Sequence, residues 1–234
     1  MPLPPPSPTT TAVVTGASSG IGADIARELA ARGHGVTLVA RREDRLRDLA
    51  AELGDAVRTE TIACDVADPE ARAQLFDRIA ARGLTVDILI NNAGIGTIGS
   101  VTKSPVADEI AQVRVNVEAV IDLTTRAVQQ MVTRGRGAIL NVGSTAGFHG
   151  FPGQAGYAGT KAFVKTYTEG VRASWRAPVS RSRCSHRGRC APSSCRPRGW
   201  TNASSPRRSR SSCGYRRARW PGSASTRSSA TAGS

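Results

Sequence analysis

Tyr157 and Lys161, four residues apart, are the pair in this sequence best suited to moving a proton. On a helix that spacing brings both side chains to one face. A free phenol titrates at about pH 10, and an ammonium beside it favours the phenolate by supplying the opposite charge. A phenol tuned in this way exchanges a proton with a substrate alcohol or carbonyl near neutral pH. Ser144, shortly after an apolar run, is placed to donate a hydrogen bond to the same oxygen as charge develops on it. Each also has an ordinary reading, the pair as a helix-surface contact and the serine as a turn or cap, so the surrounding elements decide.

A second constellation lies near the N-terminus. Thr15-Gly16-Ala17-Ser18-Ser19-Gly20-Ile21-Gly22 follows a short β-branched run and opens a helical stretch. Glycines there let the backbone turn tightly and approach a pyrophosphate, while the helix N-terminus offers free N–H groups and the positive end of its dipole. Gly16, Ser18, Ser19, Gly20, Ile21 and Gly22 are therefore candidate phosphate-binding residues. Glycine spacing alone is weak, because a Gly-rich turn is commonly only a turn; the strand-to-helix context gives it weight.

Positioning these groups requires a regular framework, and one is visible from Ala12 to about Arg176. Short β-branched runs alternate with longer stretches of helical periodicity, the pattern of a parallel sheet covered by helices. Strands are expected at Ala12 to Thr15, Gly35 to Ala40, Val57 to Ala63, Val86 to Asn91 and Ala138 to Val142, with helices between them. Asp68-Pro69-Glu70 reads as an N-cap, a first-position proline and an acidic first turn, and Ser104-Pro105 repeats the first two signals. Arg followed by Gly at Gly33 and Gly83 reads as helix ends. The expected fold is α/β, a Rossmann-like doubly wound parallel sheet with its C-terminal strands missing or scrambled.

The T-G-x-x-x-G-x-G spacing, Asn91-Asn92-Ala93-Gly94 after the fourth strand, and the stretch Ser144 to Val164 with Gly147, Phe148 and Gly153 ahead of the tyrosine resemble the short-chain dehydrogenase/reductase family. The resemblance covers roughly the first 176 residues. It implies an oxidoreductase that transfers hydride between an alcohol and a ketone or aldehyde, with Tyr157 as general acid/base. Lys161 would lower the pKa of Tyr157 and bind the nicotinamide ribose, Ser144 would orient substrate, and Asn116, between strands four and five, would anchor a proton-relay water. Asp65 and Val66, in Cys64-Asp65-Val66, resemble the family's adenine contact, and Asn92, Ala93 and Gly94 its cofactor-groove motif. Phe148 and His149 would border the substrate, or the aromatic ring would simply pack on its own loop. The resemblance further implies a homodimer or homotetramer formed through the helices flanking the fifth strand.

The choice of dinucleotide is read from the end of the second strand. Dinucleotide-binding folds often place a carboxylate there for the adenosine ribose of NAD; here the strand ends Val39-Ala40-Arg41-Arg42. Two guanidinium groups favour a 2′-phosphate through charge-assisted, potentially bidentate hydrogen bonds. NADP(H) is expected over NAD(H), the alternative being that Arg41 and Arg42 solvate a helix start beside Glu43 and Asp44.

The net charge of +14 on 234 residues would ordinarily suggest an acidic partner, but it is unevenly placed. Lys and Arg number 19 in residues 1–176 and 13 in 177–234, and all 18 acids lie in the first part, leaving +1 (19 minus 18) and +13 (13 minus 0). Residues 1–11 are expected to be a disordered leader, 12–176 the NADP-binding and catalytic domain, and 177–234 a disordered, low-complexity Arg/Ser-rich tail. No signal-peptide pattern and no apolar run of membrane-spanning length is legible, so a cytoplasmic protein is expected. Cys64 reads as a small buried residue.

The tail contains no Leu, Ile, Met, Phe, Lys, Gln, Asp or Glu and cannot build a core. A single nucleotide lost near Ala173 and Ser174 would explain it: each true codon is then the third base of one written codon plus the first two of the next. From the Val179–Ser180 junction onward, the codon families force apolar and small residues to alternate over five positions, followed by Leu or Phe, a small residue, Pro or Ser, and Gly, Arg or Trp. One member of that set is V-S-V-T-V-L-A-P-G-P-V-R-T, a strand and the Pro-Gly turn that the family carries next. As written, the chain lacks elements that complete the sheet and the substrate pocket, so impaired activity and aggregation through uncovered apolar surface are expected. Taken at face value instead, the tail is an Arg-rich nucleic-acid-binding arm; Cys184, His186, Cys190 and Cys195 invite a zinc site, but paired C-x-x-C spacing is absent and no metal is expected. A non-catalytic NADP(H)-binding protein is a further alternative, which the co-occurrence of Asn116, Ser144, Tyr157 and Lys161 opposes.

Overall fold

The computed structural model describes residues 3–176. The arginine-rich tail, where the sequence suggests a frame-shifted strand and offers four candidate zinc ligands, lies outside them.

Strands β1 (Thr10–Thr15), β2 (Val36–Ala40), β3 (Thr59–Ala63), β4 (Thr85–Asn91) and β5 (Ala138–Asn141) form one sheet in the order β3-β2-β1-β4-β5, every neighbouring pair parallel. Helices α1 (Gly20–Ala31), α2 (Glu43–Leu53), α3 (Pro69–Ala80), α4 (Val106–Val113), α5 (Ala119–Arg134) and α6 (Ala155–Arg176) cover it. This is the expected doubly wound fold. Strand side chains alternate between faces. Val13 and Leu89 accordingly join a core that includes Leu75, Ile79, Leu123 and Met131 from α3 and α5, while Ala12, Val14, Ile88 and Ile90 join one with Ala26, Leu29, Leu46 and Leu49 from α1 and α2. Burial on both faces is why the central strands β1, β2 and β4 are largely apolar, while the edge strands β3 and β5 are only partly buried. Cys64 sits in the first core, 5% exposed, and burial pushes its thiol up.

The sheet changes direction between β1 and β4, and in such folds a ligand crevice opens beyond the carboxyl ends of the strands at that point. Both glycine-bearing segments singled out above, after β1 and after β4, lie there.

Two local expectations are corrected. β1 begins at Thr10 rather than Ala12, because Thr10 and Thr11 pair with Thr85 and Val86, and the Thr11 hydroxyl bonds that of Thr37 at 2.9 Å. Residues 10 and 11 therefore belong to the sheet and not to the leader. Asp68 caps α3 as expected, accepting the Glu70 N–H at 2.9 Å, with Pro69 in the first turn. Ser104 does not cap α4: the helix starts after Pro105, and the Ser104 hydroxyl donates to Glu109 Oε1 at 2.6 Å. Finally, α4 and α5 are joined through a π-helical segment, Arg114–Glu118, that carries Asn116. None of the described helices is long and apolar enough to cross a membrane.

His34, at the end of α1, is buried, and burial together with the nearby Arg32 charge pushes its imidazole below the ordinary value of 6.5. Between 6.5 and that lowered value the unfolded chain binds the extra proton. Stability is therefore fully present above the unfolded value and is lost as pH falls through the folded one. Urea midpoints taken at about pH 7.5 and about pH 5 should fall more for the natural chain than for His34→Gln; equal falls would contradict this.

Candidate active site

The loop after β1 is shaped by close backbone approach. Gly16 has φ +66°, and a Cβ there would lie 2.9 Å from Ala93 Cα. A Cβ on Gly22 would overlap the Gly16 carbonyl oxygen and Asn92 Nδ2. Gly20 has φ +56° with open space around it, so its requirement is conformational only. Ser19 precedes α1 without a side-chain cap bond, leaving the first-turn N–H groups of the helix free of that partner and directed at the crevice.

Gly22→Ala therefore forces a side chain into backbone, and overpacking of this kind destabilises by about 1–3 kcal/mol. The unfolding midpoint is expected to drop by roughly 2–12 °C. Gly170→Ala in α6, where a Cβ meets nothing within 4 Å, is expected to hold or raise it. Calorimetry of the two variants checks the contrast, and equal midpoints would contradict it.

A groove of about 340 Å³ runs from this loop along the strand ends, bordered by Gly16, Ser18, Ser19, Ile21, Arg41, Arg42, Asp65, Val66, Asn92, Ala93 and Gly94. Gly20 and Gly22 shape it without lining it. Arg42 Nη2 donates to Ser18 Oγ at 2.9 Å and to Ser19 Oγ at 3.1 Å, which fixes a guanidinium at the groove's edge beside the glycine loop. Arg41 borders the same groove. Asp65 Oδ1 accepts the Ala67 N–H at 2.9 Å, and the Val66 carbonyl accepts from Arg72 Nη1 at 2.7 Å, so the loop after β3 is held from both sides.

The end of β4 is tied to β1 through Thr15. Its hydroxyl donates to the Ile90 carbonyl at 3.2 Å and accepts the N–H groups of Asn92 and Ala93 at 3.0 and 3.1 Å. Asn92 Nδ2 donates to the Thr15 carbonyl at 3.0 Å, and Asn91 Nδ2 to Asn141 Oδ1 at 2.8 Å, linking β4 to β5. Sequence reasoning placed Thr15 in the loop motif without this clamping role.

A second hollow, of about 360 Å³, adjoins the groove and shares Ile21, Asn92, Gly94 and Ile95 with it; Tyr157 and Lys161 line it from α6. Lys161 is only 6% exposed, its Nζ donates to the Val142 carbonyl at 2.8 Å, and burial pushes its ammonium below the usual lysine range. The same Nζ stands 5.8 Å from the centre of the Tyr157 ring. Amine and phenol thus share one face of α6 and one cavity, as the i, i+4 spacing requires.

Asn116 is buried between this helix and the loop after β4. Its amide grips Ile95 at both backbone groups, accepting the N–H at 2.9 Å and donating to the carbonyl at 2.8 Å, and also donates to Thr160 Oγ1 at 3.0 Å. A Cβ on Gly94 would stand 3.3 Å from Asn116 Oδ1 and 3.5 Å from Lys161 Nζ, so glycine keeps that approach open.

Ser144 begins a 3-10 turn after β5 and its Oγ accepts the Ala146 N–H at 3.2 Å. A Cβ on Gly147 would lie 2.7 Å from the Lys161 backbone carbonyl, which explains the glycine and docks this turn against α6. Ser144 and Phe148 line a neighbouring hollow with Lys165 rather than the Tyr157 cavity. The exposed Phe148 ring lies 5.3 Å from Lys165 Nζ, and His149 is exposed on the same loop.

The sequence profile of the short chain dehydrogenase family matches residues 10–179. Among curated relatives, sulfoacetaldehyde reductase 2 of Chromohalobacter salexigens is 35% identical over 162 residues, 68% of this chain and 64% of that protein. An NADP-dependent 3-hydroxy acid dehydrogenase of Salmonella typhi is 36% identical over 161 residues, with the same coverage of 68% and 64%. Among solved structures, a short-chain dehydrogenase from Sphingobium yanoikuyae in complex with NADPH superposes with a TM-score of 0.67 at 36% identity, covering 71% of this chain and 66% of that one. The matched part of the chain thus spans just under two thirds of these curated relatives.

Proposed function

This chain belongs to the short chain dehydrogenase family, and on that premise we propose that it is an oxidoreductase that binds NADP(H) in preference to NAD(H) and interconverts a small-molecule alcohol with a ketone or aldehyde. The observation that carries the reading is the adjacency of two cavities. One ends at a guanidinium fixed beside a glycine loop, and the other holds a buried ammonium next to a phenol.

The groove suits a dinucleotide phosphate: Gly16 and Gly22 leave room that a Cβ would fill, and α1 presents uncapped N–H groups. Gly16, Ser18, Ser19, Gly20, Ile21 and Gly22 would hold the pyrophosphate, Arg41 and Arg42 the 2′-phosphate, Asp65 and Val66 the adenine, and Asn92, Ala93 and Gly94 the floor. The dinucleotide held there would supply the hydride chemistry at the substrate carbon. Tyr157 delivers the matching proton from its hydroxyl to the carbonyl oxygen, or removes it from the alcohol. Lys161 favours the phenolate by its charge and binds the nicotinamide ribose. Ser144, whose oxygen accepts the Ala146 N–H and whose hydroxyl proton is left to donate, hydrogen-bonds the substrate oxygen. Asn116 fixes the loop beside both groups and anchors a relay water.

Titrating the chain with NADPH and with NADH, followed by the ligand's fluorescence, tests the cofactor half of the proposal. Saturable binding that is tighter for NADPH is expected; tighter NADH binding, or none, would contradict it.

We further propose that the residues after about Arg176 are a shifted-frame translation and that restoring one nucleotide near Ala173 yields the competent enzyme. Resequencing the coding DNA decides this: a single-base discrepancy there is expected, and an intact frame would refute it. We place the protein in the cytoplasm, as a homodimer or homotetramer built through α5 and α6, where Ile121 and Val132 of α5 are exposed.

A further inference from the structure

Gln112 is wholly buried, although it ends a helix whose other polar residues face outward or sit at the rim. A buried amide is unfavourable unless its hydrogen bonds are made, so its partners report what it is for. They lie in the loop after β4. Gln112 Nε2 donates to Thr97 Oγ1 at 2.9 Å and to Glu109 Oε2 at 3.2 Å, while Gln112 Oε1 accepts the Thr97 N–H at 3.4 Å. Glu109 Oε1 in turn accepts from the hydroxyls of Ser104 at 2.6 Å and Thr97 at 3.4 Å.

Gln112 and Asn116 are four residues apart. Asn116 grips Ile95 and Gln112 grips Thr97, which leaves Gly96 suspended between them. The Tyr157 ring lies on Gly96: a Cβ there would be 2.8 Å from Tyr157 Cδ2 and 3.2 Å from Cγ. The same cluster touches α6 one residue earlier, since a Cβ on Gly156 would overlap the Glu109 carboxylate and stand 3.1 Å from Gln112 Nε2. Ring face and helix backbone on either side of the phenol are therefore both set by one polar clamp.

We propose that Gln112 is a positioning residue for Tyr157, acting through Thr97 and Gly96, with Glu109 holding the Gln112 amide in orientation. The proposal rests on Tyr157 as the proton-transfer group for its functional meaning, but its geometry is independent of turnover. A phenol whose seat shifts by about 1 Å can lose on the order of 10²-fold in rate.

The test uses the full chain and the α-proton resonances of Gly96, which the Tyr157 ring should displace upfield relative to Tyr157→Leu. Gln112→Leu, matched in size but without the amide, is expected to abolish the displacement while the cofactor still binds. The exchange Glu109→Gln with Gln112→Glu conserves charge and lets a carboxylate accept from Thr97 and an amide donate to it, so it should restore the displacement. Should Gln112→Leu not fold, Thr97→Val removes both bonds of the Thr97 hydroxyl, to Gln112 and to Glu109, keeps only the N–H bond to Gln112, and should weaken the displacement. In the frame-restored enzyme, Gln112→Leu should lower kcat about 10–100-fold with cofactor Kd unchanged. A Gly96 resonance that stays displaced in both Gln112→Leu and Thr97→Val overturns the proposal. Failure of the Tyr157 assignment would look different: turnover surviving Tyr157→Phe while the Gly96 displacement behaves as described.

Discussion

Exchanging Tyr157 for phenylalanine in the frame-restored enzyme is expected to lower turnover by about 10²–10⁴-fold, the usual contribution of a positioned general acid or base. Only the hydroxyl is removed. The ring keeps its seat on Gly96, and Lys161 keeps its bond to the Val142 carbonyl and its place beside the ring. NADPH affinity should therefore hold, which separates loss of proton transfer from loss of binding. Steady-state rates together with an NADPH titration check both halves, and turnover near that of the natural side chain would contradict the assignment.

The second large effect is expected at Arg42. A charge-assisted hydrogen bond contributes about 1.5–3 kcal/mol, so deleting the guanidinium should weaken NADPH by roughly 10–150-fold. Arg42→Glu goes further, placing a carboxylate where the 2′-phosphate would lie and offering the ribose of NADH an acceptor. The variant is expected to reverse the preference between the two cofactors. Arg42 already bonds Ser18 and Ser19 on the glycine loop, so deleting it also removes a brace on that loop. Arg42→Gln, which keeps a donor for those hydroxyls but no charge, isolates the phosphate contribution: it should weaken NADPH and leave NADH nearly unchanged. Equal losses for both cofactors would mean that Arg42 only braces the loop.

Much of this arrangement was legible before any coordinates, because it is written in short-range chemistry. The glycine loop, the Asp68-Pro69 cap and the i, i+4 placement of Tyr157 and Lys161 each depend on neighbours in sequence, and each is found where expected. The features that escaped depend on distant partners. Thr10 and Thr11 stand at the end of a Pro- and Thr-rich stretch, and what makes them strand is pairing with β4 and, for Thr11, the hydroxyl of Thr37. Ser104 has the signature of a cap, but the helix starts after Pro105 and the Ser104 hydroxyl donates to Glu109 instead. The π segment around Asn116 closes its hydrogen bonds one residue further along than an α-helix and leaves no mark in apolar periodicity. Beyond its spacing from Asn116, equal to that of Tyr157 from Lys161, nothing in the local sequence marks Gln112, whose partner Thr97 lies in another loop.

The account stands on the two cavities serving one cofactor, with the nicotinamide end against Tyr157 and the phosphate end against Arg42. Proton NMR of the frame-restored protein with ring-labelled tyrosine, saturated with NADP⁺, measures that directly. Cross-relaxation between the Tyr157 ring protons and the nicotinamide protons is predicted, absent in Tyr157→Leu. Saturable NADP⁺ binding without any such contact would contradict the account.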